Sequence, residues 1–149
     1  MRAVVQRVES ANVKVEGKIT GEIDNGILLL LGVEERDEAA DLEYMCEKIP
    51  NLRIFEDENG KMNKSLLDIG GSILVISQFT LLGDARKGRR PSFTDAARPE
   101  KAIPMYEEFI ARMKEKNITT ESGVFGAEMK VQLINDGPVT ILLDSKKVF

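Results

Sequence analysis

The chain has 149 residues, with 21 Lys or Arg against 25 Asp or Glu for a formal net charge of −4, one cysteine and no histidine. That composition excludes Ser-His-Asp and Cys-His nucleophile systems, which need an imidazole base. It also excludes a His/Cys zinc centre, an intrachain disulfide and a chain-wide basic coat for nucleic acid. Acid–base work in such a chain falls to carboxylates, lysines, hydroxyls, backbone groups or the substrate, and a carboxylate-only site for a hard metal stays open. The length predicts one domain over residues 1–149. The opening stretch lacks the apolar run of a signal peptide, and no segment approaches the length of a membrane span. One cysteine fits a reducing compartment, so the expectation is a cytoplasmic protein with no membrane partner.

In chain order, Val4 to Val8 alternates apolar and polar residues and predicts a strand. Val13-Lys14-Val15 and Ile19 flank a Glu16-Gly17 hairpin turn. Asp24-Asn25-Gly26 turns the chain into Ile27–Leu31, apolar on both faces and therefore a central strand. Asp37 is the expected cap of a helix over 38–49, with Leu42, Met45, Cys46 and Ile49 on one face and Pro50 as its stop. A short strand over Leu52–Phe55, a polar turn over Glu56–Gly60 and a buried strand over Ser72–Phe79 follow. Pro99 opens a second helix running to about Lys116, with Ile103, Tyr106, Phe109, Ile110 and Met113 inward. Pro104 calls for a later start or a kink there. A half-exposed strand over Phe125–Leu133, a turn over Asn135–Pro138 and a last strand over Val139–Leu143 complete the chain. The fold class is α+β: mostly antiparallel, barrel-like sheet with two main helices in a single domain.

Three segments carry possible chemistry. Ser77-Gln78-Phe79-Thr80-Leu81 sits where a buried strand gives way to a polar loop. Strand ends hold side chains firmly and leave them open to a ligand, and backbone N–H groups there can stabilise an oxyanion. The plain reading is that Ser, Gln and Thr satisfy local backbone groups. Asn135-Asp136-Gly137-Pro138-Val139-Thr140 reads plainly as a hairpin turn; a sharper reading makes Gly137–Pro138 a cis bond with an unusual carbonyl direction. Arg86-Lys87-Gly88-Arg89-Arg90 places four cations in five residues. It is either a solvated loop or a phosphate-binding one whose grip weakens with salt.

The first two motifs, in this order and about 55 residues apart, resemble the two signature motifs of the D-aminoacyl-tRNA deacylase family. The resemblance covers the whole chain and includes Gln6-Arg7-Val8, Arg53-Ile54-Phe55, Gly60-Lys61-Met62-Asn63 and Arg90-Pro91-Ser92-Phe93. It implies an esterase that removes D-amino acids, and glycine mischarged on tRNA(Ala), from tRNA without metal or cofactor. It also implies a homodimer with its active site at the subunit interface.

Carried over, Ser77, Gln78, Phe79 and Thr80 would form the catalytic motif, with Leu81 and Met129 lining the substrate site. Gly137 and Pro138, joined by a cis bond, would reach from one subunit into the other's pocket and act as the chiral filter. Arg86, Lys87, Arg89 and Arg90 would bind tRNA. Phe79 marks the D-specific branch of the family. No base adjacent to Thr80 is visible in the sequence, and an unactivated hydroxyl is a poor nucleophile. The expected mechanism is therefore hydrolysis assisted by the free 2′-hydroxyl of the terminal ribose. Three rivals of other classes are a non-catalytic tRNA-binding module of translation, a small-molecule esterase, and an interaction domain in which both motifs are turns.

Overall fold

The computed structural model describes residues 1–149. The alternating opening segment forms β1 (Arg2–Val15), long enough to serve three neighbours. Its first half pairs with β3 (Gly26–Gly32) and its second half with β2 (Lys18–Ile23). Its other edge pairs from Arg2 to Lys14 with β8 (Lys130–Asp144). All three pairings are antiparallel. Beyond β3 the sheet becomes parallel, through β6 (Ser72–Ser77) to β7 (Thr119–Ser122). Parallel neighbours need crossovers, and the two main helices supply them. α1 (Ala39–Asn51) lies between β3 and β6, and α3 (Pro99–Glu115) between β6 and β7.

The strand order is β2-β1-β3-β6-β7 with β8 on β1; β2 and β7 lie against one another without pairing, so the sheet nearly closes into a barrel. A small hairpin, β4 (Phe55–Glu56) with β5 (Met62–Lys64), and the one-turn α2 (Leu66–Ile69) fill the first crossover. The expected α+β class, barrel-like sheet and two main helices are all present.

β3 is apolar on both faces because it has a core on each side. Toward the helices, Ile27, Leu29 and Leu31 join Ala3, Val5, Ile73 and Val75 against Met45, Ile49, Phe109 and Met113. Inside the barrel, Leu28 meets Val8, Ala11, Val13, Ile23, Leu74 and Ile76. The buried Tyr106 hydroxyl donates to the Val75 carbonyl at 2.9 Å, tying α3 to β6 close to the strand's C-terminal end.

Several local expectations are corrected. Asp37 does not cap α1: Glu38 does, its N–H donating to Asp41 at 2.8 Å. Asp37 is buried instead, taking the Met1 ammonium at 2.5 Å and Lys146 Nζ at 2.7 Å. Pro50 sits in the last turn of α1, buried beside Ile49, and the helix ends one residue later. α3 runs unbroken through Pro104, which forgoes a single intrahelical donor. Residues 52–54 are outside any strand, and the strand expected over 125–133 begins only at Lys130. There the Ala127 N–H turns back to the Val124 carbonyl. The turn expected over Asn135–Pro138 is not a hairpin: both its flanks belong to β8 and pair with the same strand.

Candidate active site

β6 carries the first motif to the rim of the sheet. The Gln78 N–H donates to the Leu31 carbonyl at 2.9 Å, the last tie to β3. The chain then tightens into a 3₁₀ turn, Phe79–Leu82. Leu81 N–H is the first to donate within it, to the Gln78 carbonyl at 3.3 Å. The N–H groups of Phe79 and Thr80 precede that bond and have no partner inside the turn. Gly32 permits the close seat of this turn on β3, since a Cβ there would stand 2.7 Å from Leu82 and 3.0 Å from the Gln78 carbonyl. Arg2 secures the far side, donating to the Leu81 carbonyl at 3.1 Å while paired to Asp144 at 3.1 Å.

Within the motif, the Gln78 amide donates to Thr80 Oγ1 at 3.0 Å, and no carboxylate or amine bonds that hydroxyl. Ser77 is half-buried. The Phe79 ring is 56% exposed and stands edge-on to Phe93 at 5.3 Å, so an apolar platform faces solvent beside polar groups. Leu81 is half-buried, and Met129 packs by Gly123 and Ile76, next to the end of β6.

The second motif is a wide bulge. Gln6 of β1 pairs with Thr140 and Val8 with Asn135, so residues 136–139 stand out from the ladder opposite a single residue, Arg7. Asp136, Gly137 and Pro138 are exposed. The Gly137–Pro138 peptide bond is cis. Gly137 has φ 141°, and a Cβ on it would lie 2.7 Å from the Val139 side chain and 3.1 Å from Arg7 Nη2. Arg7 is a buried cation that anchors the protrusion: Nε donates to the Asp136 carbonyl at 2.8 Å, Nη1 to the Ile54 carbonyl at 2.8 Å, and the Asp136 carboxylate lies at 3.7 Å. A buried guanidinium is tolerated only when its donors are satisfied in this way.

The basic segment forms a loop closed by paired backbone bonds between Asp84 and Ser92, at 2.8 and 2.9 Å. Phe93 follows at its base and packs on Phe79, so the loop is joined to the first motif. Arg86 is fastened to Asp84 by two side-chain bonds of 2.9 and 2.7 Å. The Arg86 bonds hold the Asp84 carboxyl well below the usual carboxylate range. Lys87, Arg89 and Arg90 are exposed and form no ion pair. The free cations of the loop are therefore three rather than four.

One chain does not bring the two motifs together. The first lies by Arg2 and Gly32; the second lies opposite Gln6–Val8, on the other edge of β1. Along β1 alone they are offset by four to six residues, about 13–20 Å. Apolar side chains and a free strand edge are exposed on this part of the sheet. Val4 and Leu30 are half-exposed, Leu142 is 58% exposed, and β8 offers its outer edge unpaired. A shallow groove of about 600 Å³ along α1, by Tyr44 and Glu47, contains none of the motif residues. Sequence reasoning missed the anchoring duties of Arg2 and Arg7; an arginine inside an apolar, alternating strand was the only signal.

The family model described as D-Tyr-tRNA(Tyr) deacylase matches residues 4–144, and the chain belongs to that family of hydrolases. It is 62% identical over 149 residues, all of both chains, to "D-aminoacyl-tRNA deacylase" of Thermosipho africanus. A solved structure described as "c-Myc DNA Unwinding Element Binding Protein" superposes with a TM-score of 0.91 at 44% identity, covering 97% of this chain and 98% of that one. A second, titled "Structural Analysis of a probable eukaryotic D-amino acid tRNA deacylase", superposes at 0.81 with 18% identity, covering 95% and 97%, and shares the fold.

Proposed function

We propose that this chain hydrolyses the ester of D-aminoacyl-tRNA, releasing tRNA and the free amino acid, and that it works as a homodimer. The observation that carries the reading is the division of the two motifs between opposite edges of β1. A protruding filter and a first motif offset along β1 by about 13–20 Å in one chain need a second copy to meet. The exposed Leu142, the half-exposed Val4 and Leu30, and the unpaired β8 edge are what such a copy would cover.

In that arrangement the Gly137 and Pro138 carbonyls of one subunit face the substrate α-carbon in the other subunit's pocket. They leave no room for an L side chain. D-amino acids turn their side chains away, and glycine has none, so glycyl-tRNA(Ala) passes the same filter. Phe79 and its neighbours, with Leu81 and Met129, seat the ester and the terminal adenosine. Lys87, Arg89 and Arg90 meet tRNA phosphates.

Bond cleavage follows from what the pocket holds. Thr80 Oγ1 accepts from the Gln78 amide and has no base beside it, so it is unsuited to attack an ester. The ribose 2′-hydroxyl of the substrate helps activate water instead. The Phe79 and Thr80 N–H groups meet the developing oxyanion, a kind of donor worth about 10²–10³ in rate. The chain has no histidine, so the pH–rate profile has no enzyme imidazole step.

Matched D- and L-tyrosyl-tRNA, each also with a 2′-deoxy terminal adenosine, test the reading. D-Tyr is released far faster than L-Tyr, the deoxy substrate is inert, and Thr80→Ala keeps much of the activity. Equal release of both enantiomers contradicts the filter, and turnover of the deoxy substrate with loss in Thr80→Ala restores Thr80 as the nucleophile. Salt-sensitive tRNA binding without release points to a non-catalytic binding module.

A further inference from the structure

The protrusion is held at its base by Arg7, but its neck is closed by a different residue. Asn135 Oδ1 accepts from the Val139 N–H at 2.8 Å, and Asn135 Nδ2 donates to Thr140 Oγ1 at 3.1 Å. The same hydroxyl takes Gln6 Nε2 from the neighbouring strand at 3.3 Å. One amide therefore spans the bulge from its first flank to its second, and the acceptor it uses is itself fastened to β1. The three residues between, Asp136 to Pro138, are exposed; the only side chain that bonds them is Arg7, at the Asp136 end.

We propose that Asn135 is a positioning residue for chiral selection: by clamping Val139 and Thr140 it fixes how far, and in which direction, the Gly137 and Pro138 carbonyls project. The inference rests on the reading given under Proposed function, and it adds a residue that touches neither substrate nor reacting atoms. A filter that rejects by shape works only while its carbonyls stay within a fraction of an ångström of place. Two neutral hydrogen bonds across the neck contribute enough to hold one arrangement over its alternatives by a factor of about ten or more. Losing them widens the distribution of carbonyl positions. That admits L side chains and misplaces D substrates, so the two rates move in opposite directions. A residue that merely supported the fold would lower both rates together.

The experiment compares single-turnover release from D- and L-tyrosyl-tRNA by the full-length protein and by Asn135→Ala, Asn135→Asp and Thr140→Val. Asn135→Ala is expected to lower the D-to-L rate ratio at least about tenfold, with L-Tyr release rising above the wild-type level. Asn135→Asp keeps the acceptor for Val139 N–H, and the Thr140 hydroxyl can turn to donate to the new carboxylate, so its ratio returns to within about threefold of wild type. If Asn135→Ala fails to fold by circular dichroism, Thr140→Val decides, with an expected loss of at least about threefold in the ratio. A wild-type ratio in whichever of these two variants decides overturns the proposal, as does an Asp variant no better than Ala. A wild-type protein without D preference instead overturns the functional reading itself, so the two failures are told apart by which protein shows them.

Discussion

At the residue scale, the second motif depends on a glycine and an arginine whose geometry other residues do not reproduce. Gly137 combines φ 141° with a Cβ position 2.7 Å from the Val139 side chain and 2.9 Å from its backbone nitrogen. Only glycine adopts that backbone without strain. Gly137→Ala is therefore expected to cut D-aminoacyl-tRNA hydrolysis by at least about fivefold, since backbone strain of this kind costs about 1–3 kcal/mol; rates measured at fixed protein concentration check it. Arg7 bridges carbonyls 47 and 129 residues away in the chain with two arms of one planar group. A lysine cannot reproduce that fork. Arg7→Lys should lower stability by about 1.5–3 kcal/mol, the usual range for a hydrogen bond to a charged group, as read by urea unfolding. The remoteness of those carbonyls is why sequence reading saw Arg7 only as part of a family pattern. The place of Phe79 near a strand end, by contrast, was legible because it is set by local sequence.

At the element scale, local chemistry located most strands and helices and sometimes gave the wrong geometry. Asn135-Asp136-Gly137-Pro138 has the composition of a hairpin turn, and the same residues serve a bulge equally well. What decides is β1, long enough to pair with β8 on both sides of the insertion. Nothing within ten residues of Gly137 carries that information. Asp37 was misplaced as a helix cap for the same reason: its partners, Met1 and Lys146, come from the two ends of the chain. The paired faces of β3 and the inward stripe of α3 were readable because strand and helix periods are set residue by residue. For the basic loop, the Asp84–Arg86 pair divides cations that looked equivalent in sequence. Alanine at Lys87, Arg89 or Arg90 should weaken tRNA binding and reduce the salt slope by about 1 for each phosphate no longer neutralised. Alanine at Arg86 should leave the slope nearly unchanged; binding titrations between low and moderate salt measure both.

At the scale of the whole molecule, the two chain ends and the start of α1 are joined by one ionic cluster. Burial pushes the Asp41 carboxyl up, but hydrogen bonds from Ser145, the Glu38 backbone and Lys146 outweigh it and hold it at about 2, against an ordinary 3.8. A carboxyl lowered on folding stabilises fully above its unfolded value and loses that contribution as pH falls through the folded one. The stability gap between wild type and Asp41→Asn should therefore be present at neutral pH, shrink below about pH 4 and be gone only below about pH 2; thermal melts across that range measure it. The proposed shared site also belongs to this scale: the first motif of one copy and the Gly137–Pro138 protrusion of another would together form one reaction site. Mixing two inactive variants tests it most directly, one altered at Phe79 and one at Gly137, unfolded together and refolded. A shared site predicts that the mixture regains about a quarter of wild-type D-aminoacyl-tRNA hydrolysis, because half the dimers are mixed and each holds one intact site of two. A mixture as inactive as its parents, although mixed dimers have formed, would contradict it.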